Sequence, residues 1–162
     1  MLKPLTQFIC DSCNEIIEKP EHGWIEWLVT GARIEDWECH SFRIVHHKSR
    51  SPYPGWNGCY NYTPATYGKA DMHLNHLTEQ QEMLIELVSI IGTTCKPTFQ
   101  DIKVAHKGEY LQFVRRLTLP YYEEARLYLN KAIANGYFEE ERMAGPYHPN
   151  TLKELVKMYT EF

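Results

Sequence analysis

Hydrophobic and polar positions follow two different spacings along the chain, and the spacing changes near residue 70. Before that point, apolar residues gather in short runs rich in aromatic and β-branched side chains, which are typical of strands. The runs at 23–29 and 41–45 predict a pair of antiparallel strands joined through a Thr-Gly turn. Two shorter extended segments are predicted at 8–9 and 16–17.

From Thr78 onward the apolar residues recur at the spacing of amphipathic helices, and about four helices are predicted. Thr78 and Gln81 form a capping-box pattern that predicts the start of the first helix. Further helices are predicted at about 99–117, at 121–135 and from about Asn150. The side chains expected on the buried faces include Tyr110, Phe113, Leu117, Tyr122, Ala125, Ala132, Ile133, Leu152, Leu155, Val156 and Tyr159.

These patterns predict an α+β fold with two parts. Residues 1–70 are expected to form a small antiparallel β module, and residues 71–162 a helical domain of about four helices packed against it. Within the first part, the segment 49–68 carries three prolines and three glycines, which predict a long irregular loop. A loop of this length is usually functional or held in place by a bound group.

The net charge of the chain makes some classes of binding partner less favourable than others. Lys and Arg number 17 against 21 Asp and Glu, which gives a net charge of −4 and an isoelectric point near 6.1. This balance disfavours a general electrostatic attraction to nucleic acid or to anionic membranes. The sequence shows no apolar run long enough for a membrane span and no apolar signal core at residues 1–13. We therefore expect a cytoplasmic protein without membrane association.

The use of cysteine points to a metal. Four of the five cysteines fall within the first 59 residues, and Cys10 and Cys13 form a Cys-x-x-Cys pair. An odd number of cysteines without an export signal is poor support for a disulfide framework. Because no clear helix follows the pair, a metal-binding turn is favoured over a redox dithiol.

A structural zinc ion needs four ligands, and Cys10 and Cys13 supply two of them. The predicted strand pair returns His46 and His47 toward this turn, and Cys59 approaches from the loop rich in proline and glycine. Successive side chains of a strand point to opposite faces, so only one of the two histidines is expected to bind. The predicted ligands are therefore Cys10, Cys13, Cys59 and either His46 or His47.

The Cys-x-x-Cys pair, the strand pair after it and the run Phe-Arg-Ile-Val-His-His at 42–47 resemble small zinc-ribbon modules. The helical part, through Arg-Arg-Leu at 115–117 and the segment 120–126, resembles uncharacterised bacterial proteins and implies no activity. A standard ribbon has a second Cys-x-x-Cys pair, which this chain lacks. The fourth ligand therefore stays open, with Cys39 as the alternative to Cys59.

The chain is predicted to be a zinc-stabilised binding or regulatory protein without catalytic activity of its own. Its partner is expected to be another protein. Between residues 39 and 70 there are four basic residues and no acidic one, with aromatic residues among them. Nucleic acid could use this mixture but is disfavoured by the net charge. A helix-turn-helix over 99–135 is disfavoured, because its second helix carries no net charge and the wing strand after it would hold Glu139, Glu140 and Glu141, which repel phosphate. The candidate partner-binding residues are Arg43, Lys48, Arg50 and Trp56.

An enzymatic alternative uses the histidines differently. His46 or His47 at a strand end, followed by Asn61, His73 and His76, resembles the His-Asn-His nucleases. In that scheme one imidazole activates water as a general base, and a later histidine binds a divalent metal ion.

Overall fold

A computed structural model of the chain describes residues 1–31, 38–53, 55, 58–61, 68–79, 103–138 and 145–161. Within these residues there are six strands and five α-helices, and the α+β class is confirmed. The strands are β1 Phe8–Ile9, β2 Ile16–Ile17, β3 Gly23–Thr30, β4 Glu38–His46, β5 Gly68–His73 and β6 Lys103–Val104. The helices are α1 Leu74–Glu79, α2 Lys107–Thr118, α3 Tyr122–Ala125, α4 Leu129–Ala134 and α5 Pro149–Thr160.

The strands form two sheets. β1 and β2 pair as a short antiparallel ribbon, and the larger sheet has the order β5-β3-β4-β6. The predicted antiparallel pairing of β3 with β4 is confirmed, and β5 lies antiparallel on the other side of β3. β6 adds to β4 in the parallel direction, with Cys39 opposite Val104. The helix predicted from about residue 99 therefore begins only at Lys107, because residues 103–104 pair with the sheet.

The inner face of the larger sheet carries the main core. Ile25 lies between Ile44 of β4 and Met72 of β5, and Ile25 and Ile44 are almost fully buried. On the same face, the Phe42 ring lies 4.9 Å from the ring of Tyr110 and 5.3 Å from that of Phe113, both on α2. The helix spacing that predicted buried Tyr110 and Phe113 is thus confirmed, and α2 covers the sheet through aromatic contacts.

The outer face of the sheet carries charge. Glu26 of β3 is fully buried, and it forms ion pairs with Arg43 and, at 3.1 Å, with Lys69. Asn61 accepts a hydrogen bond of 2.8 Å from Arg43, and the Lys69 ammonium lies 3.0 Å from the centre of the Tyr60 ring. A buried carboxylate needs such pairing, because removing it from water is costly.

The helices of the C-terminal part form a second core. Buried residues of α5 pack there as predicted, and they join Tyr122, Ala125 and Ala132. The expected helix at 121–135 is divided into α3 and α4, and Tyr121 before α3 has a left-handed φ of 67°. Ile133, predicted to be buried, is 61% exposed because it lies on the outer side of α4. The buried residues of α5 are Thr151, Leu152, Leu155 and Val156.

The middle of the chain differs from the predicted start of the first helix. Thr78 does not begin a helix: α1 starts at Leu74, and the Thr78 hydroxyl donates to the Leu74 carbonyl at 3.5 Å. The remainder of that predicted helix lies outside the described residues. β5 runs across the predicted division at residue 70, and the division into a β module and a helical domain stays a prediction. Among the described residues, no helix combines the length and the apolar composition needed to cross a membrane.

Candidate metal centre

Four side chains from separate parts of the N-terminal region meet at one point. The ligand atoms of Cys10, Cys13, His46 and Cys59 all lie within 4.8 Å of one another. His46 Nδ1 is 3.4 Å from Cys13 Sγ and 3.9 Å from Cys59 Sγ. Cys10 and Cys59 are fully buried, His46 is 6% exposed and Cys13 is half-buried. We call this group the Cys₃His cluster, and its members could hold a metal ion.

A tight turn between β1 and β2 presents the first two sulfur atoms. The Cys10 amide donates to the Glu15 carbonyl at 2.9 Å, and the Asn14 amide donates to the Cys10 carbonyl at 2.8 Å. Asn14 takes a left-handed φ of 62°, a conformation that asparagine tolerates well. The Glu15 amide also donates to the Cys13 sulfur. The turn therefore directs both cysteine side chains to the same side.

The end of β4 separates the two consecutive histidines. His46 is paired with Gly23, and its Nε2–H donates to the Ile16 carbonyl at 3.3 Å. Because a carbonyl can only accept, this bond places the proton on Nε2 and leaves the Nδ1 lone pair directed at the sulfur atoms. Burial lowers the pKa of His46, which favours the neutral form that binds metals. His47 lies on the other side and contacts the Trp24 ring, with 5.2 Å between ring centres.

Cys59 reaches the cluster through a turn that requires glycine. Gly58 has a φ of 53°, and a Cβ atom there would lie 2.5 Å from Ser51 Oγ. The close approach lets Ser51 Oγ accept from the Cys59 amide at 3.0 Å, while its hydroxyl donates to Cys59 Sγ at 3.2 Å. This part of the proline- and glycine-rich segment is therefore anchored at the cluster.

The donor set fits a tetrahedral metal ion with thiolate and imidazole ligands. Around Zn²⁺, bonds of about 2.3 Å to sulfur and about 2.0 Å to nitrogen at the tetrahedral angle place these two ligand atoms about 3.5 Å apart. The observed separations of 3.4 and 3.9 Å agree with this value. Burial raises the pKa values of Cys13 and Cys59, so the thiols alone stay protonated. A bound cation would supply the positive charge that stabilises the thiolates.

The other candidate residues lie away from this cluster. Cys39, the alternative ligand, is buried near the far end of β4, and burial raises its pKa to about 11. Arg43 is engaged with Glu26 and Asn61 inside the sheet face. Lys48 and Arg50 are exposed on the short 3-10 turn that follows His47. Trp56 lies outside the described residues.

The histidines of the nuclease alternative come together only in part. His47, His73 and His76 form a row beside Trp24, with ring centres 5.6 Å apart for the first pair and 5.4 Å for the second. Asn61, the other member of that motif, accepts its hydrogen bond from Arg43 instead. We call His47, His73 and His76 the histidine row.

Sequence reasoning missed the polar connection behind the turn that carries Cys10 and Cys13. Asp11, between the two turn cysteines, accepts hydrogen bonds from the Ile44 amide at 2.7 Å and from Arg116 at 2.5 Å. Arg116 is 6% exposed and also pairs with Glu123 at 2.7 Å. A signal was available, because Arg116 follows the buried Phe113 by three residues on the predicted helix.

A comparison with known protein families, curated proteins and solved structures finds no match for this chain. What the chain does therefore has to follow from the geometry of its own residues.

Proposed function

We propose that the chain is a zinc-stabilised binding or regulatory protein in which the metal has a structural role. The observation that carries this proposal is that the four donors of the Cys₃His cluster converge in a buried position. Catalytic zinc sites generally have three protein ligands and leave the fourth position for water or substrate. A set of four protein donors leaves a tetrahedral ion no such position.

Zinc is the metal that this donor set favours. Zn²⁺ prefers tetrahedral coordination by thiolate sulfur and imidazole nitrogen, and it has no redox chemistry that would consume the thiolates. Hard cations such as Mg²⁺ and Ca²⁺ favour oxygen ligands, which the cluster lacks. A site that depends on free thiolates also suits a reducing compartment, and this supports the proposed location in the cytoplasm.

The metal would organise a region with little regular structure of its own. β1 and β2 have two residues each, and the described residues between His47 and Cys59 include one regular element, a 3-10 turn at Lys48–Arg50. Joining Cys10, His46 and Cys59 through one ion links three separate stretches of chain. The binding free energy then becomes folding free energy for this region.

A protein partner is favoured over nucleic acid. The net charge of −4 opposes phosphate contacts, and Arg43 already neutralises the buried Glu26. Exposed Lys48 and Arg50 provide a basic stretch beside the histidine row, where an acidic protein surface would be complementary. We do not extend the proposal to a nuclease, because Asn61 is bound to Arg43 rather than directed at the histidines.

Metal analysis combined with cobalt substitution tests the structural role. Protein purified without added metal should contain one equivalent of zinc, which Cys13→Ser should lose and the matched Cys39→Ser control should retain. The cobalt form should show the strong visible absorption of tetrahedral thiolate coordination, and added azide should leave it unchanged. Retention of zinc in Cys13→Ser, or a spectrum that azide alters, would contradict a closed site.

A further inference from the structure

We propose a second metal site, formed by His73 and His76 on the Trp24 side of the larger sheet. It would bind a first-row divalent ion with an affinity for imidazole, such as Ni²⁺, Cu²⁺ or Zn²⁺. The inference uses residues outside the Cys₃His cluster and does not depend on the structural role proposed for that cluster.

The two imidazoles have the spacing of a chelating pair. His73 is the last residue of β5, and His76 lies three residues later in the first turn of α1. Their ring centres are 5.4 Å apart and their planes are tilted by 53°. Two imidazoles bound to one ion, with metal–nitrogen distances of about 2.0 Å, have ring centres about 5 Å apart. The observed separation of the ring centres is close to this value.

Neighbouring rings hold His73 in place. The Trp24 ring meets it edge to face, with 4.1 Å between centres, and His47 stacks on it at 5.6 Å with an angle of 16°. A neutral imidazole ring offers a nitrogen lone pair to a metal ion. Trp24 and His47 are thus positioning residues for this site.

Among the described residues, neither the His73 nor the His76 imidazole has a hydrogen-bond partner. Both side chains are half-buried and so reach solvent. His47 differs, because its Nδ1 lies 2.9 Å from the Ser49 hydroxyl and accepts from the Ser49 amide at 3.3 Å. Two ligands from the chain would leave further coordination positions to water or to another molecule, in contrast to the Cys₃His cluster.

Titration of the untagged, zinc-loaded protein with Ni²⁺ tests this site. Calorimetry should show one equivalent of Ni²⁺ bound, and tryptophan fluorescence should fall because Trp24 contacts His73. Losing one of two imidazole ligands should weaken binding by about tenfold or more in His73→Gln and in His76→Gln. His106→Gln is the matched control, since His106 lies at the start of α2 and should leave the affinity unchanged.

Two further measurements keep the outcome clear. Zinc content is determined before and after the titration, and absorption by nickel–thiolate bonds reports any ion that has reached the cysteines. If His73→Gln fails to fold by circular dichroism, His76→Gln decides the question. Parent-like Ni²⁺ affinity in the folded histidine variants, or binding that appears only with thiolate absorption, would overturn the second site. Neither result would bear on the zinc content of the parent protein.

Discussion

Arg116 of α2 reaches across to the turn between β1 and β2, where its Nη1 lies 2.5 Å from Asp11 Oδ2. The same guanidinium donates to the Ile9 carbonyl at 3.0 Å and to Glu123 at 2.7 Å. Burial disfavours the charge of Arg116, but Glu123 and Asp11 outweigh this effect and raise its pKa. One side chain thus connects the turn that carries Cys10 and Cys13 to the helical part.

Replacing Arg116 should therefore destabilise the whole chain. Arg116→Met keeps the length of the side chain but removes the closest cationic partner of the buried Glu123, which retains only the longer contact with Arg126 at 3.3 Å and the Ile9 amide at 2.8 Å. The loss should cost about 3 kcal/mol of unfolding free energy. Urea unfolding measures this change. Lys107→Met, at an exposed position of the same helix, should change stability by no more than about 0.5 kcal/mol. Equal unfolding curves for the two variants would show that the connection has no energetic importance.

Removal of the metal should lower thermal stability. If the Cys₃His cluster contributes about 3 kcal/mol through a bound ion, chelation should reduce the Tm by about 10 °C for a chain of this size. Differential scanning calorimetry before and after chelation, with zinc added back, measures the effect. Cys59→Ser should already have the lower Tm and should respond little to chelator. An unchanged Tm after verified removal of the metal would refute the coupling.

The metal should also protect the cluster cysteines from alkylation. With zinc bound, Cys10, Cys13 and Cys59 should react slowly with N-ethylmaleimide, because their sulfur lone pairs are coordinated and largely buried. After chelation their labelling should rise at least about tenfold, since the region then opens. Peptide mass spectrometry follows each site. Cys39 is the internal control, because it lies outside the cluster, within the paired strand β4.

Burial of Cys39 should make the protein sensitive to alkali. The folded thiol has a pKa of about 11 against an ordinary value of 9.0, so between these values the unfolded state loses its proton first. Stability is therefore fully present below about pH 9 and falls as the pH rises toward 11. Cys39→Ala should reduce this slope in urea unfolding measured across that range. A slope identical to that of the parent would assign the alkaline loss to other groups.

The two arginines predicted to bind a partner should differ in their effect on folding. Arg43→Met removes a partner of the fully buried Glu26 and should cost about 3 kcal/mol of unfolding free energy. Arg50→Met, at an exposed position, should stay within about 0.5 kcal/mol of the parent. Chemical denaturation of both variants measures the difference. Comparable losses would mean that Arg50 also has a structural role.

The sequence predicted the fold best where a single spacing dominated. The strand pair β3 and β4 and the buried faces of α2 and α5 follow directly from hydrophobic periodicity. β6 was missed because two residues carry no periodic signal, and its pairing with β4 depends on tertiary contacts. The break between α3 and α4 was not predicted, because Tyr122, Ala125 and Ala132 keep the spacing of one continuous helix across it.

For the candidate site, residue type and the alternation of side chains along a strand each predicted a different part of the donor set. Residue type and the Cys-x-x-Cys spacing indicated the sulfur donors, and strand alternation indicated that one of His46 and His47 would face them. The choice between the two depended on register, which pairs His46 with Gly23. The roles of Asp11 and Arg116 needed the packing of α2 against the turn, which no local pattern contains.

The position of His46 at the end of β4 limits how this chain can diverge. Between the paired residues Glu26 and Arg43 and the cluster, the strand runs without a bulge. Gain or loss of a single residue there would exchange the two faces and bring a different side chain to the sulfur atoms. We expect descendants of this chain to accumulate insertions and deletions in the joining segments, while the count of residues from Arg43 to His46 stays constant.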